Sequence, residues 1–251
     1  MAHIDKLTYQ GADFPVYLAE PTGAVKGGLI VIHEVWGLND HIRSIADRFA
    51  AQGYLALAPD LLSETEIAAH GAQLQADLFN PEKRNEAQPK MRAMMAPLQE
   101  PGFAVMTVGR LSVCFDYLHG RPETKGVVSV TGFCFGGSYS YSLAMKERRL
   151  ACAIAFYGHA PLDEAELKKI ACPVLAFYGE KDERLITDLP ELKTLMKSAG
   201  VDYTAQVYPN CGHAFFNDTR PEVYDADAAR LSWDRTRAFF RTHLATTVAP
   251  V

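Results

Sequence analysis

The sequence predicts an α/β protein, a mostly parallel sheet with helices on both faces. Three observations carry that reading. Short β-branched and aromatic runs alternate with amphipathic helical stretches along most of the chain. Several runs, such as Leu29-Ile30-Val31-Ile32, lack the polar alternation of a one-sided strand and suit burial on both faces. A glycine-bracketed turn, Gly132-Phe133-Cys134-Phe135-Gly136-Gly137, passes directly from one such run into a helix-forming stretch without proline.

In chain order, residues 7–9 and 14–19 predict an antiparallel pair around Gly11-Ala12-Asp13, with Pro15 placing the second strand at a sheet edge. Residues 27–32 predict a central strand. The helix after it has Asn39 or Asp40 as N-cap, an apolar stripe of Ile42, Ile45, Ala46 and Phe49, and a stop at Gly53. Tyr54-Leu55-Ala56-Leu57-Ala58-Pro59-Asp60 makes the next strand. The pattern weakens over 61–101, an excursion punctuated by Pro81, Pro89, Pro97 and Pro101, with a short helix at Leu74 and Leu78. There the spacing of Met91, Met94 and Met95 points to core filling rather than ligand binding. Leu111, Cys114, Phe115 and Leu118 mark a helix ending at Gly120; the strand at 126–131, the glycine turn and its helix follow. Residues 151–157, 173–178 and 203–208 are the remaining strands. Helices carry Leu189, Leu192, Leu195 and Met196, and then Ala229, Trp233, Thr236, Phe240 and Leu244. With no linker or internal repeat, one domain over 1–251 is expected.

Composition excludes several classes. The 251 residues are 48% hydrophobic and 22% charged, and 25 basic against 30 acidic residues give a net charge of −5, which offers no footprint for nucleic acid. No apolar run is long enough to span a membrane. Met1 to Lys6 lack the apolar core of a signal peptide, and five cysteines without a Cys-x-x-Cys pair predict free thiols in a reducing cytoplasm.

In such a sheet, sites form at the C-terminal ends of the strands. Glu34, Cys134, Asp182 and His213 all fall there. Cys134 occupies the middle of Gly-x-Cys-x-Gly, the spacing of a nucleophile elbow with sulfur in place of oxygen. Cys134, Asp182 and His213 also run in the order nucleophile, acid, histidine, that of α/β-hydrolases. A thiolate is the competent nucleophile, and a helix N-terminus favours an anion. His213 would take the thiol proton and Asp182 would orient the imidazole. The Phe135 amide is the natural oxyanion donor, with Val35 as the second. Blander readings stand beside these. Cys134 fits a small buried hydrophobe, Glu180 or Glu183 the acid, His213 a core or capping histidine, Glu34 a loop cap and Tyr157 a packing residue. His33-Glu34 does not begin a zinc motif, because Gly37 stands where the second histidine belongs, and Cys211 with His213 are too few ligands for a metal.

His33-Glu34-Val35-Trp36-Gly37-Leu38-Asn39, the cysteine turn, Gly179-Glu180-Lys181-Asp182 and Gly212-His213-Ala214-Phe215 together resemble the dienelactone hydrolase family of α/β-hydrolases. The resemblance implies an α/β-hydrolase fold and a Cys134, His213, Asp182 triad, with Glu34 contacting the resting thiol. It also implies ester or lactone hydrolysis of a small molecule without metal or cofactor. Trp36, Arg84, Tyr157 and Asn217 are the expected substrate-binding positions. Asn217 stands where the family has an arginine, four residues past the histidine, which points away from dienelactone itself. A non-catalytic ligand-binding member and a thiol redox sensor pairing Cys134 with Cys211 are the rival readings. A haloalkane dehalogenase is disfavoured, since it would need a carboxylate at position 134.

Overall fold

The computed structural model describes residues 1–245. Strands β1 (Ala2–Tyr9) and β2 (Ala12–Ala19) form a hairpin whose two-residue turn, Gln10-Gly11, has φ of 51° and 83°, the primed geometry that matches strand twist. β3 (Gly27–Ile32), α1 (Asp40–Ala51), β4 (Tyr54–Pro59), α2 (Glu66–Phe79), α3 (Arg84–Met95) and α4 (Pro101–His119) follow. Then come β5 (Val128–Phe133), α5 (Phe135–Lys146), β6 (Ala153–Phe156), α6 (Glu164–Leu167), β7 (Val174–Gly179), α7 (Glu183–Ser198), β8 (Tyr203–Tyr208) and α8 (Ala226–Ala245). The eight strands make one sheet in the order β1-β2-β4-β3-β5-β6-β7-β8, antiparallel at β1-β2 and β2-β4 and parallel from β4 to β8.

Every residue of β3, β4, β5 and β7 is buried, so both faces are covered. The register shows by what. Gly28 meets Leu118 of α4, whereas Tyr54, paired with the adjacent Gly27, meets Phe49 of α1 and Phe240 of α8. Neighbouring strand positions point to opposite faces, so α1 with α8 covers one and α4 the other. The predicted stripes of α1 and α8 are buried, with Trp233 half-buried, and Asn39 is the N-cap, its side chain accepting from the Ile42 amide at 3.2 Å.

Two expectations are corrected, and the conformation of a third segment is settled. Pro15 does not lie on an edge strand: β2 sits between β1 and β4, and Pro15 uses its carbonyl, which accepts from the Asp60 amide at 2.8 Å. The N-terminal strand begins at Ala2, its exposed residues held by hairpin pairing rather than by burial. The 61–101 segment is helical almost throughout. Pro97 and Pro101 open helical turns, where a missing N–H costs nothing, Pro81 separates α2 from α3, and only Pro89 lies inside a helix. This segment brings its own small cluster of Leu62, Ile67 and Phe103, on which Met94, Met95, Leu98 and Met106 pack together with Phe135 and Tyr139 of α5. The helical cap is thus seated directly on the residue after Cys134.

Candidate active site

Cys134 links β5 to α5 at φ 56°, ψ −112°, a backbone conformation costly for a residue with a side chain. The surrounding structure enforces it. The Cys134 amide donates to Phe156 O of β6 at 3.0 Å, and the Gly136 amide donates to His33 O at 3.1 Å. A Cβ on Gly132 would lie 2.1 Å from Gly136 O, and one on Gly136 would lie 2.3 Å from Ile32 O, so only glycine permits these backbone approaches. Beneath the turn, Phe133, Phe156, Phe177 and Phe216 pack with ring centroids 4.6–5.4 Å apart, giving it a stiff apolar floor.

Asp182 is the N-cap position of α7, at the end of β7, and His213 follows β8. Three backbone ties hold the two loops together: Glu180 N–H to Tyr208 O, Lys181 N–H to Cys211 O, and the close approach of Gly179 to Gly212 O. His213 Nδ1 and Asp182 Oδ2 are 2.5 Å apart. The other two acids are used elsewhere or exposed: Glu180 accepts from the Asn210 amide at 2.9 Å, and Glu183 faces solvent. His213 is 43% exposed at its edge. Burial of the rest of the ring opposes its charged form, but the hydrogen bond to Asp182 and the interaction with the Cys134 thiol outweigh it and lift the imidazole to about 10. The geometry joins imidazole and carboxylate, and the Cys134 thiol at the end of β5 is among the groups that favour the charged imidazole.

Glu34 is 1% exposed, and Asn217, equally buried, donates from Nδ2 to Oε2 at 2.8 Å. Among the described residues Oε1 has no hydrogen-bond partner and no hydrogen bond joins Glu34 to the thiol. The Asn217 hydrogen bond ties the Glu34 carboxylate to the loop after β8. Tyr157 follows β6 at φ 39°, its ring 5.0 Å from that of His213. Its hydroxyl is buried, with no hydrogen bond of ordinary geometry among the described residues and with the Glu34 carboxylate near enough to act on it. Burial, then the charges of Glu34 and Cys134, push this phenol well up.

Among the described residues, neither the Phe135 nor the Val35 amide has a hydrogen-bond acceptor. Trp36 is half-buried beside Gly71 of α2. Arg84 is exposed at the first turn of α3, and no hydrogen bond, ion pair or ring contact joins it to the turn at Cys134 among the described residues. Sequence reasoning missed Arg220, whose side chain is 13% exposed and whose guanidinium lies 4.0 Å over the Phe79 ring of α2; its charge reaches the Tyr157 hydroxyl. It missed His33 as well. Leu61 N–H donates to His33 Nε2 at 3.0 Å and Nδ1 lies 2.6 Å from Glu34 O, so the neutral ring stitches the ends of β3 and β4, and burial holds its pKa down. Only the His-Glu pairing in sequence marked it.

Burial pushes the thiols of Cys114, Cys152 and Cys172 up, and they are core residues as expected. Cys211 is 4% exposed and is pushed up to about 11 by burial and then by Asp225, which suits an inert thiol rather than a redox partner. No group of three or more His, Cys, Asp or Glu among the described residues could hold a metal ion, and no helix there is long and apolar enough to cross a membrane.

The family model described as "Dienelactone hydrolase family" matches residues 14–244. A Saccharolobus solfataricus protein named "Putative carboxymethylenebutenolidase" is 34% identical over 249 residues, covering 92% of this chain and 95% of that one. "Protein usf" of Aquifex pyrophilus is 34% identical over 237 residues, covering 91% and 93%. A solved structure called "Putative Dienelactone Hydrolase", from Klebsiella pneumoniae, superposes with a TM-score of 0.77 at 25% identity, covering 96% and 98%.

Proposed function

The chain belongs to the dienelactone hydrolase family, and on that premise we propose that it is a cysteine-dependent hydrolase of a small ester or lactone, working in the cytoplasm without metal or cofactor. The observation that carries this reading is the joined set at the strand ends: a thiol on a strained turn, a histidine raised by that thiol and by Asp182, and two amides without acceptors.

The Cys134 S–H bond breaks as its proton passes to His213, and the thiolate Sγ attacks the substrate carbonyl carbon. The oxyanion is held by the Phe135 and Val35 amides, neither of which has a hydrogen-bond acceptor among the described residues. His213, now cationic, protonates the leaving alkoxide and becomes neutral, so a thioester remains on Cys134. Neutral His213 then removes a proton from water, which adds to the thioester; collapse releases the acid and restores the thiol. Asp182 keeps Nδ1 engaged so that Nε2 faces the reaction. Trp36, beside α2, is the substrate-side aromatic of this reading, and Arg220, paired with Glu222 at 2.9 Å and stacked over Phe79, stands by the same helix.

The test is hydrolysis of small lactones and aryl esters by Cys134→Ala. Turnover falling to the uncatalysed level, with the wild type showing a burst of acyl-enzyme, supports the reading. Wild-type-like hydrolysis by the variant would sink it.

A further inference from the structure

β1 is an outer strand of the sheet, and its hydrogen-bonding phase shows which of its groups face outward. Met1 O accepts from the Glu20 amide at 3.0 Å, and the register with β2 continues as Ala2↔Ala19, His3↔Leu18 and Ile4↔Tyr17. Bonded positions alternate in an antiparallel pair, so His3, Asp5, Leu7 and Tyr9 bond β2. Ala2, Ile4, Lys6 and Thr8 therefore point their N–H and C=O groups away from the sheet. Two observations agree with that phase. Pro15, which has no N–H, lies opposite Lys6, and the Lys6 amide donates to Asp5 Oδ1 at 2.8 Å rather than to β2. Ile4 on this edge is 54% exposed, and His3, Asp5 and Lys6 are exposed around it. An exposed edge of this kind is a template for another strand.

We propose that the strand it accepts is β1 of a second copy of this chain, paired antiparallel about a twofold axis at Ile4. The sequence selects that register. Residues opposite each other must share a face, so the axis passes through a residue rather than between two. Centred on Asp5 or on Lys6, the pairing would set like charges face to face; centred on His3, it would set histidine on histidine. Centred on Leu7, it would run into the Gln10-Gly11 turn and leave Ile4 uncovered. Centred on Ile4, His3 of each copy lies opposite Asp5 of the other, Ala2 lies opposite Lys6, and Ile4 meets Ile4. The outward amides and carbonyls of Ala2, Ile4 and Lys6 then all find partners across the axis. Asp5 releases the Lys6 amide to Ala2 O of the other copy and turns to His3. Lys6 keeps Asp13 at 3.0 Å, and the joined Ile4 side chains rest beside Tyr17, whose hydroxyl donates to Asp47 of α1 at 2.8 Å. The contact is a narrow strip, so the dimer is reversible and concentration-dependent. The inference stands apart from the hydrolase reading, because β2, β4 and β3 lie between β1 and the strand that leads to Cys134.

Sedimentation equilibrium of the whole chain over a concentration series reads the assembly, and the wild type should pass reversibly from monomer to dimer. Ile4→Pro removes an outward N–H and no β1–β2 bond, a change an edge strand tolerates, so Tm should hold. The dimer Kd should rise about tenfold or more, since both central N–H bonds of the pairing are lost. The charge pairing is tested in trans. His3→Asp sets carboxylate against carboxylate across the axis and Asp5→His sets imidazole against imidazole, so each variant alone should self-associate about tenfold more weakly. An equimolar mixture of the two rebuilds both His–Asp pairs and should recover the wild-type affinity, as should a single chain carrying both changes. A wild type that stays monomeric at every concentration, a dimer that survives Ile4→Pro, or a mixture no tighter than its components would each overturn the pairing. These results stand whether or not Cys134→Ala abolishes ester turnover, so the two readings fail separately.

Discussion

Gly136→Ala tests how the turn and the proposed oxyanion amides are built. A Cβ there would lie 2.3 Å from Ile32 O and 2.7 Å from His33 O, both backbone atoms that no side-chain rotation can move. Real Cβ atoms essentially never approach closer than 3.0 Å, so α5 must retreat from β3 by about 0.7 Å, the difference between 3.0 and 2.3 Å. That retreat stretches the Gly136 N–H to His33 O bond, now 3.1 Å, and separates Phe135 on α5 from Val35 on the β3 loop. Overpacking of this kind costs about 1–3 kcal/mol and the weakened hydrogen bond about 1 more. At roughly 2–4 °C per kcal/mol for a chain of this size, Tm should fall by about 5–15 °C. Misplacing one oxyanion donor by this much should reduce kcat about 10²-fold. Cys134 remains present, so alkylation by iodoacetamide should persist. Kinetics on a small aryl ester, alkylation and thermal unfolding read the three effects separately. A folded Gly136→Ala protein with wild-type kcat would refute the assignment of the Phe135 and Val35 amides.

Two further predictions follow from the charges and the core. His213 has a folded pKa of about 10 against an ordinary 6.5, so its charged form stabilises the fold fully below about 6.5, and that contribution fades as pH rises toward 10. The difference in urea midpoint between wild type and His213→Gln should therefore shrink between pH 6 and pH 10; a widening difference would show the sign to be wrong. Tyr141, Tyr178 and the half-buried Tyr203 bring their hydroxyls within 2.9–3.4 Å of one another, and Tyr141→Phe should cost about 1 kcal/mol in denaturant unfolding with ester turnover unchanged.

The strands and the thiol, acid and histidine order were legible because each rests on local chemistry. β-branched runs report burial on two faces, and the glycines around Cys134 report a steric demand within five residues. The conformation of the excursion was not legible because its prolines sit largely where helices begin, and a proline at a first turn looks the same in sequence as one that breaks a helix. Pro15 was misplaced for a related reason: whether a missing N–H is needed depends on register, which pairs β2 with both β1 and β4. Arg220 and the Asn217–Glu34 hydrogen bond were invisible because they join segments 141 and 183 residues apart, and no periodicity encodes such a meeting.

The turn after β8 places two functions on one short rope. Ala214 at φ 63° and the Asn217 N–H to Ala214 O bond coil the chain so that His213 meets Asp182 while Asn217 reaches back to Glu34. The proposed base and the restraint on its carboxylate neighbour cannot be adjusted independently. The length of this coil is therefore the constrained quantity. Side chains along it can be exchanged one at a time, but a single inserted residue would rotate one group out of the site while the other stayed, uncoupling proton handling from the thiol.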